Sequence, residues 1–291
     1  MNREDAQRLL DERVERRRAR DFEAADAIRR QLRDGGWDVV DSATGSELQA
    51  FRAPTDQATA PTTRAVTLLT VVHGWLPDIE RWLLSVFTHT KGDFEAVVVD
   101  NSGDARIAGA LVRRAAERLR VVTLDPPLGW AAAANAGVEA AGGEVIVLLD
   151  PGVELVGDAA AALVEALADP AVVVAGPFGL RGKGTMKEFA ESAGPDVDAI
   201  EGYCMAFRRA DVLAAEGFDP KFRFYRMADV ELSFRLRARG GRAVVVDVPV
   251  ERHEHRLWEA TEPAERERLS RRNMYRFLDR WRDREDLLGG Q

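Results

Sequence analysis

The sequence predicts an α/β fold, a mostly parallel sheet flanked by helices, preceded by a small helical hairpin. Three observations predict it. Between Val66 and Leu149, short β-branched runs alternate with amphipathic segments of helical length, the pattern of βαβ units. Polar clusters fall where those runs end. A Pro- and Thr-rich stretch separates this region from a charged N-terminal segment with helical spacing.

In chain order, Arg3 to Arg33 carries apolar residues at Leu9, Leu10, Val14, Phe22, Ala25, Ile28 and Leu32, with a break near Arg20-Asp21. This spacing predicts two helices. Gly35-Gly36 stops the second, Trp37 to Val40 reads as a short extended piece, and Asp41 to Gly45 reads as a turn. The expected organisation is a hairpin module over 1–52, a linker over 53–64 and a main domain over 65–291. Within that domain Val66–Val72, Ala96–Val99, Arg120–Leu124, Val145–Leu149, Val172–Ala175 and Ala243–Val246 are expected strands. Asp78–Phe87, Ile107–Leu119, Ala131–Ala141, Glu231–Arg239 and Arg266–Arg282 are expected helices.

Composition narrows the function classes. The chain has 291 residues, is 46% apolar and 31% charged, and bears a net charge of −8, which suits a globular protein and argues against broad binding to nucleic acid or anionic lipid. Cys204 is the only cysteine, so an internal disulfide, a cysteine-based zinc site and a redox pair are excluded. No run approaches the ~20 apolar residues of a membrane span, and the N-terminus has no signal-like stretch. A soluble, cytoplasmic protein is expected, with peripheral attachment at the inner membrane face as the second expectation.

Three polar clusters fall at strand ends: Asp100-Asn101-Ser102-Gly103-Asp104, then Gly129 with Asn135 and Gly137, then Asp150. Ligands of open α/β sheets bind outside the carboxyl ends of strands. Each turn alone reads as turn and cap chemistry; three in successive units point to a binding crevice.

These clusters belong to a longer ordered series. It comprises Val97-Val98-Val99-Asp100-Asn101-Ser102, Leu128-Gly129-Trp130 through Asn135-Ala136-Gly137, and Val147-Leu148-Leu149-Asp150-Pro151. It continues with Glu201-Gly202-Tyr203-Cys204, Gly217-Phe218-Asp219, Asp229-Val230-Glu231-Leu232 and His253. From about Val66 to Trp281 the series resembles family-2 inverting glycosyltransferases of the GT-A fold, a Rossmann-like nucleotide-diphospho-sugar transferase fold, and its rhamnosyltransferase-like branch in particular. The resemblance implies transfer of a sugar from a nucleotide-diphosphate donor to a glycan, lipid-linked or other hydroxyl acceptor. It implies Asp229 as catalytic base, and Asp100, Asn101, Asn135, Asp150 and Glu201 as donor-binding residues; His73 is expected to join them by stacking on or bonding the base, or else to be only a loop residue. It further implies Mg²⁺ or Mn²⁺ on Asp150 and His253, with His255 the close alternative to His253. Such hard cations share phosphates with carboxylates. Read from its position alone, Asp229 is an N-cap of the helix that follows.

The series departs from the family at three places. The position two beyond Asp150, usually acidic, is Gly152; the acidic residue before the base is Ala228; and the first-strand loop reads Val72-His73-Gly74. Each acidic loss removes charge that would hold a cation, which leaves Glu154 as a substitute ligand and makes a catalytically degenerate sugar-nucleotide binder or scaffold the alternative. The stretch Gly179 to Asp198 reads either as an acceptor-side lid or as a flexible connection. The N-terminal text from Ala19 to Asp41 resembles the C-terminal helical tail of cysteinyl-tRNA synthetases, which implies protein or RNA contact through 1–52. Arg16-Arg17-Arg18 is the basic feature there.

Overall fold

The computed structural model describes residues 2–19, 21–35, 37–42, 45–50, 62–115 and 117–289. Two compact units divide the chain, Met1–Ala58 and Thr59–Gln291; most of the expected linker, residues 53–61, lies outside the described residues.

In the first unit, α1 (Arg3–Arg18) and α2 (Phe22–Asp34) form the expected pair, followed by strands β1 (Trp37–Ser42) and β2 (Gly45–Ala50). Asn2 starts α1 by accepting the Asp5 N–H at 2.8 Å. Ala6, Leu10, Ile28, Leu32 and Val39 bury together. The extended piece is therefore one half of an antiparallel ribbon, because Val39 and Leu48 need a partner surface on the helix pair. Arg16 pairs with Glu12 and Asp21, and Arg18 with Glu15, so acids beside the basic run answer much of its charge.

The second unit starts with β3 (Arg64–Val72), α3 (Leu76–His89), β4 (Phe94–Asp100), α4 (Ala105–Val112), β5 (Leu119–Thr123), α5 (Trp130–Ala140) and β6 (Gly143–Leu149). Here α4 is shorter than the periodicity predicts. It ends at Val112, and Leu119 instead enters β5 beside Ala96, where burial on the sheet outweighs helical spacing. After β7 (Val153–Leu155), α6 (Ala159–Leu167) and β8 (Val172–Gly176), the glycine-rich stretch forms β9 (Gly179–Gly182), β10 (Phe189–Ser192), β11 (Asp196–Val197) and β12 (Ala199–Ile200). Strands β10, β9 and β12 make a small antiparallel sheet, so this stretch is ordered structure. The chain ends with β13 (Cys204–Arg208), α7 (Arg209–Ala214), α8 (Ala228–Arg237), β14 (Arg242–Val245), β15 (Val250–Arg252), α9 (Arg256–Glu259) and α10 (Pro263–Trp281).

Eight strands form the main sheet in the order β11-β14-β8-β13-β6-β3-β4-β5. Neighbours β6, β3, β4 and β5 are parallel, and β13 alone runs against both β6 and β8. Alternate side chains fill two cores, as the period of a strand requires. Leu69, Val97, Val99, Ile146 and Leu148 pack with α5, α8 and α10. Leu68, Ala96, Val98, Val145 and Val147 pack with α3, α4 and α6 on the other face. This register brings the ends of β3, β4 and β6 to one edge. Because β13 is antiparallel, its start comes to the same edge: Cys204 pairs with Leu149, and the Asp150 N–H donates to the Tyr203 carbonyl at 2.9 Å.

Candidate active site

At that edge a crevice is lined by His73, Trp75, Asp78, Asp150, His255 and Arg256, among others. His73 follows β3. Burial, and then His255, lower its pKa to about 4, so the ring is neutral near pH 7. Its Nε2 lies 3.2 Å from Asn101 Nδ2.

Asp100 ends β4 and is buried. Its Oδ1 accepts the Ser102 N–H and hydroxyl at 3.0 and 2.6 Å, whereas its Oδ2 has no hydrogen-bond partner among the described residues. A buried acceptor without a donor is a costly arrangement that a ligand donor would relieve. Asn101 clasps the following loop, accepting the Leu128 N–H at 2.7 Å and donating to the Leu128 carbonyl at 2.9 Å.

Asn135, on α5, is also a clasp. It accepts the Phe218 N–H at 2.7 Å and donates to the Phe218 carbonyl at 2.8 Å. Gly217 makes the approach feasible, with φ +70° and an added Cβ only 2.5 Å from Asn135 Oδ1. At the start of the same helix the N–H groups of Trp130 and Ala131 donate to the carbonyls of Arg223 and Phe222, so two of this terminus's N–H groups are already satisfied. Asn135→Ala is expected to cost about 2–4 kcal/mol by stranding both buried Phe218 groups. A thermal melt should show it as a Tm loss of about 2–4 °C per kcal/mol; an unchanged Tm would rule the clasp out as a stability element.

Asp150 stands just beyond β6 with its side chain 14% exposed. Its Oδ1 accepts the Gly152 N–H at 2.8 Å, and its Oδ2 meets His255 Nε2 at 3.2 Å. Burial raises its pKa, opposed by His255. His255 is gripped by two rings that the sequence reading did not single out: Tyr225 stacks on it at 4.0 Å, and Tyr203 meets it edge-on at 5.4 Å. Its Nδ1 accepts the Trp258 N–H at 3.3 Å, capping α9. The same N–H also donates to the His255 carbonyl at 2.9 Å, while Nε2 faces Asp150.

His253 lies elsewhere. Its Nε2 is 2.8 Å from Glu154 Oε2, on the ribbon formed by β7 and β15. Glu154, Glu251 and His253 hold their ligand atoms within 4.8 Å of one another. The structure thus pairs Asp150 with His255, and His253 with the two glutamates, instead of bringing Asp150 and His253 together.

Asp229 is the second residue of α8; the cap position is Met227, with φ +67°. Oδ2 of Asp229 accepts the Gly202 N–H at 2.7 Å and Oδ1 the Val230 N–H at 2.9 Å. Burial raises its pKa against these bonds. Glu201 precedes that Gly202, and its Oε2 is 3.4 Å from Arg252 Nη1.

A divalent cation takes carboxylate oxygens and unprotonated imidazole nitrogens as ligands. Both ring nitrogens of His255 already have partners, Nε2 in Asp150 Oδ2 and Nδ1 in the Trp258 N–H. Position 152 offers no side chain. Of the two carboxylates in the crevice, Asp78 is held by Arg81 at 2.9 Å and Arg256 at 2.7 Å and Asp150 is bonded on both oxygens, so this crevice donor set does not fit a resident Mg²⁺ or Mn²⁺.

The sequence model of glycosyl transferase family 2 matches residues 67–228. Among solved structures, GalNAc-T7 with UDP, GalNAc and Mn²⁺ is similar at 17% identity and a TM-score of 0.61, over 77% of this chain and 49% of that one. The chain spans about half the length of that protein. The mannosyltransferase PcManGT from Pyrobaculum calidifontis, in complex with GDP-Man and Mn²⁺, is similar at 22% identity and a TM-score of 0.56, over 81% and 72%. Both likenesses are of fold. No curated protein sequence matches the chain. Among the described residues, no helix is long and apolar enough to cross a membrane.

Proposed function

The chain belongs to glycosyl transferase family 2, and on that premise we propose that it moves a sugar, with inversion, from a nucleotide-diphosphate donor to a hydroxyl acceptor. The observation that carries the reading is the gathering of Asp100, Asp150, Glu201 and Asp229 at one edge of the sheet, two of them on a strand end and a turn far apart in sequence. Inversion is a single displacement. The acceptor oxygen forms its bond to the anomeric carbon, its proton passes to Asp229, and the bond from that carbon to the phosphate oxygen breaks, with the electron pair leaving on the nucleoside diphosphate. The unpaired Oδ2 of Asp100 is the acceptor for a donor group of the nucleoside. Arg256 lines the crevice, bonded to Asp78 at 2.7 Å, and is the chain's own cation for the leaving diphosphate. The rhamnosyltransferase-like branch remains part of this reading on the strength of the sequence series. A protein or RNA contact through 1–52 is likewise supported by sequence likeness to the synthetase tail.

Thermal-shift and calorimetric titrations with UDP, GDP and dTDP sugars, each with Mn²⁺ or with EDTA, test the reading. One nucleotide should stabilise the protein, with release of the nucleoside diphosphate when acceptor is supplied. Because the crevice donors do not fit a resident cation, EDTA should weaken nucleotide binding by less than about tenfold, or 1.4 kcal/mol. A larger loss would mean that the nucleotide's phosphates bring an ion with them. No shift and no turnover with any donor would sink the transfer reading.

A further inference from the structure

Asn273 lies inside α10, where its residue type weakens a helix. It is fully buried, among the residues that turn Phe277, Leu278 and Trp281 into the core. Its amide nitrogen donates to the carbonyls of Phe224 and Arg226, both at 2.8 Å. Both partners are acceptors, so the amide has one orientation. In that orientation Oδ1 is buried without a hydrogen-bond partner among the described residues. A position serving stability alone is poorly filled by a group that strands a buried oxygen. The two carbonyls bracket Tyr225, in the turn that opens α8. Tyr225 stacks on His255 with ring centres 4.0 Å apart, and its carbonyl accepts the Ala228 N–H at 3.1 Å. Met227 then takes φ +67°, a strained conformation that persists only where its surroundings enforce it. Asp229 follows in the first turn of α8. The ring on His255 and the carboxylate of Asp229 thus issue from one turn, pinned at two carbonyls from α10. The same two helices also meet through Arg280, which reaches Glu231 at 3.0 Å.

We infer that Asn273 is a positioning residue of the transfer site: it fixes the turn from which Tyr225 reaches His255 and Asp229 enters α8, so that the histidine facing Asp150 and the base keep one spacing. The inference rests on the transfer reading above. Positioning of this kind acts on rate, because a misplacement of about 1 Å at reacting groups costs about 10²-fold. The Arg280–Glu231 contact joins the same helices beyond the turn, so it supplies the comparison for a tie that serves stability alone.

The test compares Asn273→Leu, Tyr225→Leu and Arg280→Gln in the full chain by Tm, by donor turnover and by ¹H–¹³C NMR of labelled histidines, with His255→Gln identifying the His255 signal. Asn273→Leu should lower kcat by about 10²-fold and move the His255 ring protons downfield, as Tyr225→Leu does when the shielding ring leaves. Arg280→Gln should lower Tm and leave kcat and the His255 signal at their wild-type values. Should Asn273→Leu fail to fold, Asn273→Ser, small enough to admit a water to the two carbonyls, carries the same expectations. An Asn273 variant that loses Tm alone, or an Arg280→Gln protein that loses as much rate and moves the signal as far, would overturn the role. A wild type that turns over no donor removes the transfer reading, while the His255 signal still decides whether Asn273 sets the Tyr225 ring.

Discussion

Asp229→Asn is expected to cut turnover by about 10²–10⁴-fold, the usual contribution of a general base, with the fold and nucleotide affinity intact. The carboxylate now accepts two backbone N–H groups, from Gly202 and Val230. An asparagine keeps one of those bonds through its oxygen and turns its NH₂ toward the other donor, losing a bond worth about 0.5–1.5 kcal/mol. Removing a charge whose ionisation burial already opposes works the other way, so Tm should change little. The sign with pH follows from the same shift. The base form exists above the raised pKa, so wild-type turnover climbs as pH rises through it, and the variant's residual rate should not. Release of nucleoside diphosphate and calorimetric titration of the nucleotide measure both halves. A variant within tenfold of wild type would transfer the role to another carboxylate at this edge, Glu201 first, because it adjoins the Gly202 that holds Asp229.

How much of this was legible in the sequence depends on whether a signal was local. The strands that carry Asp100 and Asp150 are β-branched runs closed by a polar residue, and they form where periodicity puts them, with β4 buried throughout. Asp229 was legible through its series, although its local reading as a cap was not met: Met227 caps α8 and the aspartate is held from the Gly202 turn. What escaped depends on long-range pairing. The antiparallel course of β13 sets Tyr203 beside Asp150 and Glu201 near Asp229, and no periodicity announces strand direction. The choice between His253 and His255 escaped for a related reason. Residues 253 and 255 share the side-chain alternation of an extended segment and both fall between the end of β15 at Arg252 and the start of α9 at Arg256: His253 stays with the ribbon at Glu154, while His255 caps α9 and reaches Asp150. Asn101 and Asn135 were expected at the donor; in the structure Asn101 ties a loop to the end of β4 and Asn135 ties the Phe218 loop to α5, a role that the same amide serves with equal chemistry.

Gly152→Asp, which writes the missing acid back into the motif, is expected to destabilise the protein and to gain no Mn²⁺ affinity. An added Cβ would lie 2.8 Å from the Glu254 carbonyl oxygen and 2.9 Å from Asp150 Oδ1, closer than packed atoms tolerate. The obstruction is backbone, and it cannot drift away cheaply, because the His253 N–H donates to the Gly152 carbonyl at 2.7 Å. Overpacking of this kind costs about 1–3 kcal/mol, and the new carboxylate adds repulsion from Asp150. Gly152→Ala separates the two contributions: it meets the same obstruction without the charge, so a melt should lower Tm in both variants, further in the aspartate. The close approach that excludes the acid is also what brings the segment carrying His255 against Asp150. Forcing the strands apart should therefore loosen the histidine from the aspartate before any ligand set forms. A Gly152→Asp protein with wild-type Tm and tight Mn²⁺ binding, read by calorimetry, would show that the crevice yields to a side chain and that its present donor set is not fixed by the backbone.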